Sequence, residues 1–153
     1  MGHHISAVLL TGPFDENQSY AFDMKPIRLT DDLTLFALDP RYCDYWSEKL
    51  GTSGFVSERP VLNSRVVHLM VNSIATTPLF AVIDTDYFGG SGSQSAAVYR
   101  GGTEVMAPDS SNIGPFIESF GPINKALRHL GVDASGLRDE FETVGLHRFR
   151  DFL

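Results

Sequence analysis

"LFAVIDTDYFGGSGSQSAAVYRGGTEVM", residues 79–106, is the stretch on which the fold turns. Residues 79–83 are continuously apolar, as in a central strand covered on both faces. "SAAVY", 95–99, and "TEVM", 103–106, read as two further strands, and Gly101-Gly102 between them suits a two-residue hairpin turn. Together they predict a three-stranded antiparallel meander. The deciding part is "YFGGSG". A phosphate-binding loop needs backbone N–H groups and a following helix N-terminus aimed at the anion. "GGSGSQ" lacks the lysine and Ser/Thr that end such a loop, its glycine spacing is not the dinucleotide fingerprint, and a strand follows it. The stretch therefore reads as a hairpin loop over 88–93. At least one of Gly89, Gly90 and Gly92 is expected at positive φ, because glycine reaches that region without steric cost.

Working outward, "ISAVLL", 5–10, and "LTLFAL", 33–38, read as strands, with mostly loop between them. Asp39-Pro40 supplies an N-cap and a first-turn proline for a helix over 40–50. Tyr42, Cys43, Trp46 and Leu50 form its apolar stripe and Gly51 is its stop. Residues 64–75 place Val67, Met70, Val71 and Ile74 opposite Arg65, His68 and Asn72, which is helical spacing. "PINKALRHLG" begins on Pro122, lines Ile123, Ala126, Leu127 and Leu130 on one face and ends at Gly131. A short helix follows across "LRDEFETVG". This order predicts a single α+β domain over residues 1–153. Its sheet is mainly antiparallel, with about five strands and helices packed on one face.

Composition narrows the functional classes. The chain has 153 residues, 42% hydrophobic and 20% charged, and a net charge of −7. Residues 1–76 carry 6 basic and 9 acidic groups and residues 77–153 carry 6 and 10, so neither half has a charged tail. That balance opposes general nucleic-acid binding, which needs a basic face. No apolar run approaches a membrane span, and the N-terminus lacks the pattern of a signal peptide, so a cytoplasmic protein is expected. The single cysteine excludes an intramolecular disulfide and a cysteine-rich zinc site.

Candidate ligand-binding residues gather at the glycine stretch: Asp84, Asp86, Tyr87, Gly89, Gly90, Gly92 and Gln94, with Ser93 beside them. Asp84 and Asp86 are two apart on a strand and leave the same face, roughly 7 Å apart. Such a pair binds a cation, or acts as acid and base when one member is buried. No catalytic residue, metal ligand set or cofactor is assigned. Cys43 reads as a buried, inert thiol, His68 as an exposed helix residue, and His129 as a last-turn residue suited to the helix dipole. Arg148 and Arg150 read either as an anion site or partner-facing edge, or as part of a solvated C-terminal segment that pins aromatic side chains to the core.

"DTDYFGGSGSQSAAVY", with "INKALRHLGV" and "DEFETVGL", resembles a family of small bacterial proteins that share a Tyr-Phe-Gly-Gly-x-Gly-x-Gln string and have no assigned activity. An opening strand like "ISAVLL" and an aromatic-rich segment like "RYCDYW" extend the resemblance over most of the chain. It implies no catalytic residue. The sequence predicts a non-catalytic intracellular binding or protein-interaction domain, engaging a protein partner or a second copy of itself. One version is a small acidic protein that occupies a basic one, as an immunity protein occupies a toxin. The alternative is a small enzyme or small-ligand binder with its site at loop 87–94. A pocket at that loop with a buried carboxylate favours the alternative, and a flat exposed apolar patch favours the interaction domain.

Overall fold

The computed structural model describes residues 3–88, 91–113, 121–134, 136 and 138–149. Six strands form one sheet: β1 (His3–Thr11), β2 (Ile27–Arg28), β3 (Leu33–Ala37), β4 (Leu79–Phe88), β5 (Ser91–Arg100) and β6 (Thr103–Ile113). Their spatial order is β2-β3-β1-β4-β5-β6, and every neighbouring pair is antiparallel. The helices are α1 (Glu16–Ala21), α2 (Pro40–Leu50), α3 (Arg65–Ile74), α4 (Pro122–His129) and α5 (Glu140–Thr143), with a 3-10 turn at Leu146–Arg148. The domain is α+β on an antiparallel sheet, and residues 79–113 form the expected meander.

Three expectations are corrected. Helices cover both faces of the sheet, not one. On the first face Val8, Leu10, Phe36, Phe80, Val82 and Ala97 pack under α2 and α3. On the second, Leu9, Leu35, Ala81, Ile83, Ala96 and Val98 pack against Ile123, Ala126, Leu127, Phe141 and Leu146. Alternation along each strand sends successive side chains to opposite faces, so a strand apolar at every position needs two covers.

The second correction concerns strand length. β4 and β5 pair from Leu79↔Arg100 out to Phe88↔Ser91, so residues 88 and 91–93 extend the strands and do not form a loop. Ser93 and Gln94 are weak strand formers by themselves, but β5 is hydrogen-bonded on both edges, and that pairing overrides propensity. Gly89 and Gly90 lie outside the described residues. The third correction is in residues 14–32, which contain α1 and β2 where loop was expected. Asp15 caps α1 by accepting from the Gln18 N–H at 3.0 Å.

The α2 boundaries match the reading of its sequence. Asp39 accepts from the Tyr42 N–H at 2.8 Å, Pro40 opens the first turn, and Gly51 closes the helix in the left-handed region at φ 63°. Between Arg100 and Thr103, Gly101 alone takes positive φ (59°), as a type II′ hairpin turn requires.

Candidate functional site

The sheet changes character toward one end. On the first face, the rows Val8–Val82–Ala97 are apolar. The next row is Ser6–Asp84–Ser95–Ser110, and the one beyond it is His4–Asp86–Ser93–Asn112. Of α2 and α3, only Pro40 at the start of α2 lines the cleft over these polar rows. The N-terminus of α2 and the loop 51–64 wall it, leaving about 150 Å³ lined by His4, Ser6, Asp39, Arg59, Val61, Leu62, Asp84 and Asp86. A second cleft of about 190 Å³ adjoins it at Arg59 and is lined by Ser93, Ser95, Ser110 and Asn112. Drug-sized ligands and nucleotides occupy roughly 300–1,000 Å³. The first cleft matches one extended side chain.

Asp84 forms the buried floor. It is 5% exposed and accepts one hydrogen bond, from Ser6 Oγ at 3.1 Å. No cation lies within ion-pairing distance of it among the described residues. Burial pushes its carboxyl above the usual carboxylate range, and the Ser6 hydrogen bond and the charges of His4 and Arg59 only partly oppose this. Asp86 is exposed and faces His4 Nδ1 at 3.6 Å. The neighbour of Asp84 on β5, Ser95, is 1% exposed, and its hydroxyl has no hydrogen-bond partner among the described residues.

The loop wall is held by a polar network that sequence reading did not find. Asn63, fully buried, donates from Nδ2 to Ser57 Oγ and to Tyr99 OH, each at 2.8 Å. Its Oδ1 lies 2.6 Å from His68 Nε2. Because Oδ1 can only accept, Nε2 carries the proton, a tautomer fixed by this network. His68 is therefore half-buried, not exposed, with its ring 4.4 Å from Tyr99 and 5.2 Å from Phe80, both edge-on. Burial depresses its pKa to about 4. The network ties loop, α3 and β5 together, and so fixes Arg59 and Val61 above the polar rows. Asparagine at 63 offered no local signal, since its partners lie at residues 57, 68 and 99.

The other sequence candidates face the opposite way. Gln94 points to the second face, accepts from the Ile123 N–H at 2.7 Å and donates to Tyr87 OH at 2.6 Å. It thereby caps α4 from the sheet face on which that helix packs, a role no side chain of α4 fills. Tyr87 is raised to about 12 by burial. Gly92 takes φ 156°, and a Cβ there would overlap the Asp86 carbonyl and sit 2.7 Å from Tyr87 Cα. The candidates thus divide. Asp84, Asp86 and Ser93 share the cleft face, whereas Tyr87 and Gln94 lock α4 to the far face and Gly92 permits close strand approach.

Cys43 is buried against α3, and burial raises its thiol to about 11, with the neighbouring Ser64 hydroxyl only partly offsetting it. Arg148 lies over Phe149 and donates to the Gly145 carbonyl, while Arg150 lies outside the described residues. Among the described residues, no three His, Cys, Asp or Glu side chains converge as a metal site. No helix there is long and apolar enough to cross a membrane. Compared with known protein families, curated proteins and solved structures, the chain matches none.

Proposed function

We propose that this chain is a non-catalytic cytoplasmic recognition domain, and that it binds a basic protein through the surface formed by α1–α3 and the loop 51–64. One observation carries the reading. Of seven large apolar side chains exposed among the described residues, six (Tyr20, Tyr45, Phe55, Val56, Val61 and Leu69) belong to this layer, and the seventh is Val105. Phe55, Val56 and Val61 stand on the loop that walls the acidic cleft, which pairs apolar contact area with a charged floor. Exposed apolar groups beside a desolvated charge are the composition of an interface anchor. The net charge of −7 favours association with a basic surface and speeds encounter with it.

The alternative of a small enzyme or ligand binder at loop 87–94 is less supported. Its proposed residues are split between two faces, and the cleft is small for a metabolite. The resemblance to proteins sharing the Tyr-Phe-Gly-Gly-x-Gly-x-Gln string is consistent with a common scaffold, since Tyr87, Gly92 and Gln94 all serve packing.

Native mass spectrometry of the protein purified from the cells that encode it tests the reading. A stoichiometric complex with a basic protein, lost on replacing Phe55 and Val61 by serine, is expected. A bare monomer, a homodimer or a retained small molecule overturns it.

A further inference from the structure

The polar rows at the sheet end present a physical problem. Asp84 is a carboxylate removed from water with a single neutral hydrogen bond and no cation within ion-pairing distance among the described residues. An isolated buried carboxylate costs several kcal/mol unless it protonates or meets a cation. Arg59 lines the same cleft yet forms no ion pair with it, and its side chain is exposed. Next to Asp84 in the row, the Ser95 hydroxyl, at the adjoining cleft, is buried and has no partner among the described residues. Buried hydroxyls in folded proteins are nearly always hydrogen-bonded. A carboxylate and a hydroxyl side by side, both short of partners, leave acceptors for a group that brings several donors and a positive charge. The cleft lining holds three carboxylates (Asp39, Asp84, Asp86) against one guanidinium, and Asp39 is already engaged by its helix. Its volume of about 150 Å³ admits one long side chain and excludes a folded loop.

We infer that this cleft receives a lysine side chain of the partner protein, its ammonium against Asp84 and its methylenes along Val61 and Leu62. A lysine fits the combination of apolar wall and acidic floor, since its stem is apolar and its ammonium donors match the Asp84 and Asp86 carboxylates that line the cleft. The inference rests on the recognition reading above and specifies its anchor.

The probe is N-acetyl-lysine methylamide, titrated into the full chain and followed by amide NMR, with the norleucine analogue as neutral control. Saturable shifts at Asp84, Ser95 and Val61 are expected from the lysine probe only. Asp84→Asn, which keeps the shape and the Ser6 contact, should weaken binding about tenfold, the worth of one charge-assisted contact. Asp86→Asn, at an exposed position, should weaken it less. Equal binding of the norleucine analogue, the same shifts from calcium chloride alone, or unchanged affinity in both variants overturns the inference. A protein partner that binds the wild type and Asp84→Asn equally, yet is lost with Phe55→Ser and Val61→Ser, overturns the lysine anchor and leaves the recognition surface standing.

Discussion

At pH 7 the His68 imidazole is neutral, and its proton on Nε2 serves Asn63. Its folded midpoint of about 4 lies below the ordinary 6.5, so the unfolded chain binds the proton more readily. The stability this provides is complete above pH 6.5 and is lost as pH falls toward 4. It amounts to as much as about 3 kcal/mol. Urea unfolding of wild type and His68→Gln between pH 7 and 4.5 should show the wild type losing more stability than the variant as pH falls. Asp84 has the opposite sign. Its raised midpoint means protonation favours the native state, so stability from this group is present at low pH and lost as pH rises through that midpoint. Asp84→Asn should therefore melt at or above the wild-type temperature at pH 7, and the two should converge toward pH 3. Cys43, with its thiol held near 11, should react with a disulfide reagent at pH 7 far more slowly than a free thiol. Burial of Cys43 was legible because its partners Trp46 and Leu50 recur at helical spacing. The burial of His68 was not, because the rings that enclose it sit on β4 and β5.

Between elements, the most informative contact joins β5 to α4. Gln94 supplies the helix with the N-terminal acceptor that Gly121 lacks, and Gly121 leaves it room: a Cβ at 121 would stand 3.1–3.2 Å from the Gln94 amide. Gln94→Ala strands the Ile123 N–H and takes one hydrogen bond from the Tyr87 hydroxyl, and a cost of about 2 kcal/mol is expected in urea unfolding. Gly92→Ala should lose at least as much, because the added methyl overlaps backbone and no side chain can yield to it. If Gly92→Ala retains full stability, the close approach of β4 and β5 is wrong. The capped helix α2 and the Gly101 turn were readable since each is specified by three or four adjacent residues. α1, only six residues long, and β2, only two, exist through pairing and packing with distant segments, which local propensity does not record. The same limit hid the outer halves of β5 and β6, where serines are held in strands by their neighbours.

In the whole molecule, one sheet separates two layers of different purpose. The layer of α1–α3 carries the exposed apolar groups and the cleft, while α4 and α5 close the second core with Arg128–Glu140 at 2.8 Å and Asn124 bound to Asp139 and the Phe141 N–H. The α+β class and the meander followed from element order. The second helical cover was implied by the unbroken apolar run 79–83, but grouping of helices along the chain obscured it, since order in sequence does not tell which face a helix takes. The aspartates of the cleft were visible as a pair; their lid was not, because the loop 51–64 has no periodic pattern.

The two covers also enter the molecule at different times. All six strands and the helices of the first face precede residue 114, whereas the helices of the second face span 122–143. A ribosome adding about 5–20 residues per second reaches the end of α5 roughly 2–6 seconds after finishing β6. During that interval Leu9, Ile83, Ala96 and Val98 have no helix to rest against. The growing chain is then a half-clad sheet, and a chaperone that holds extended apolar surface has its window there.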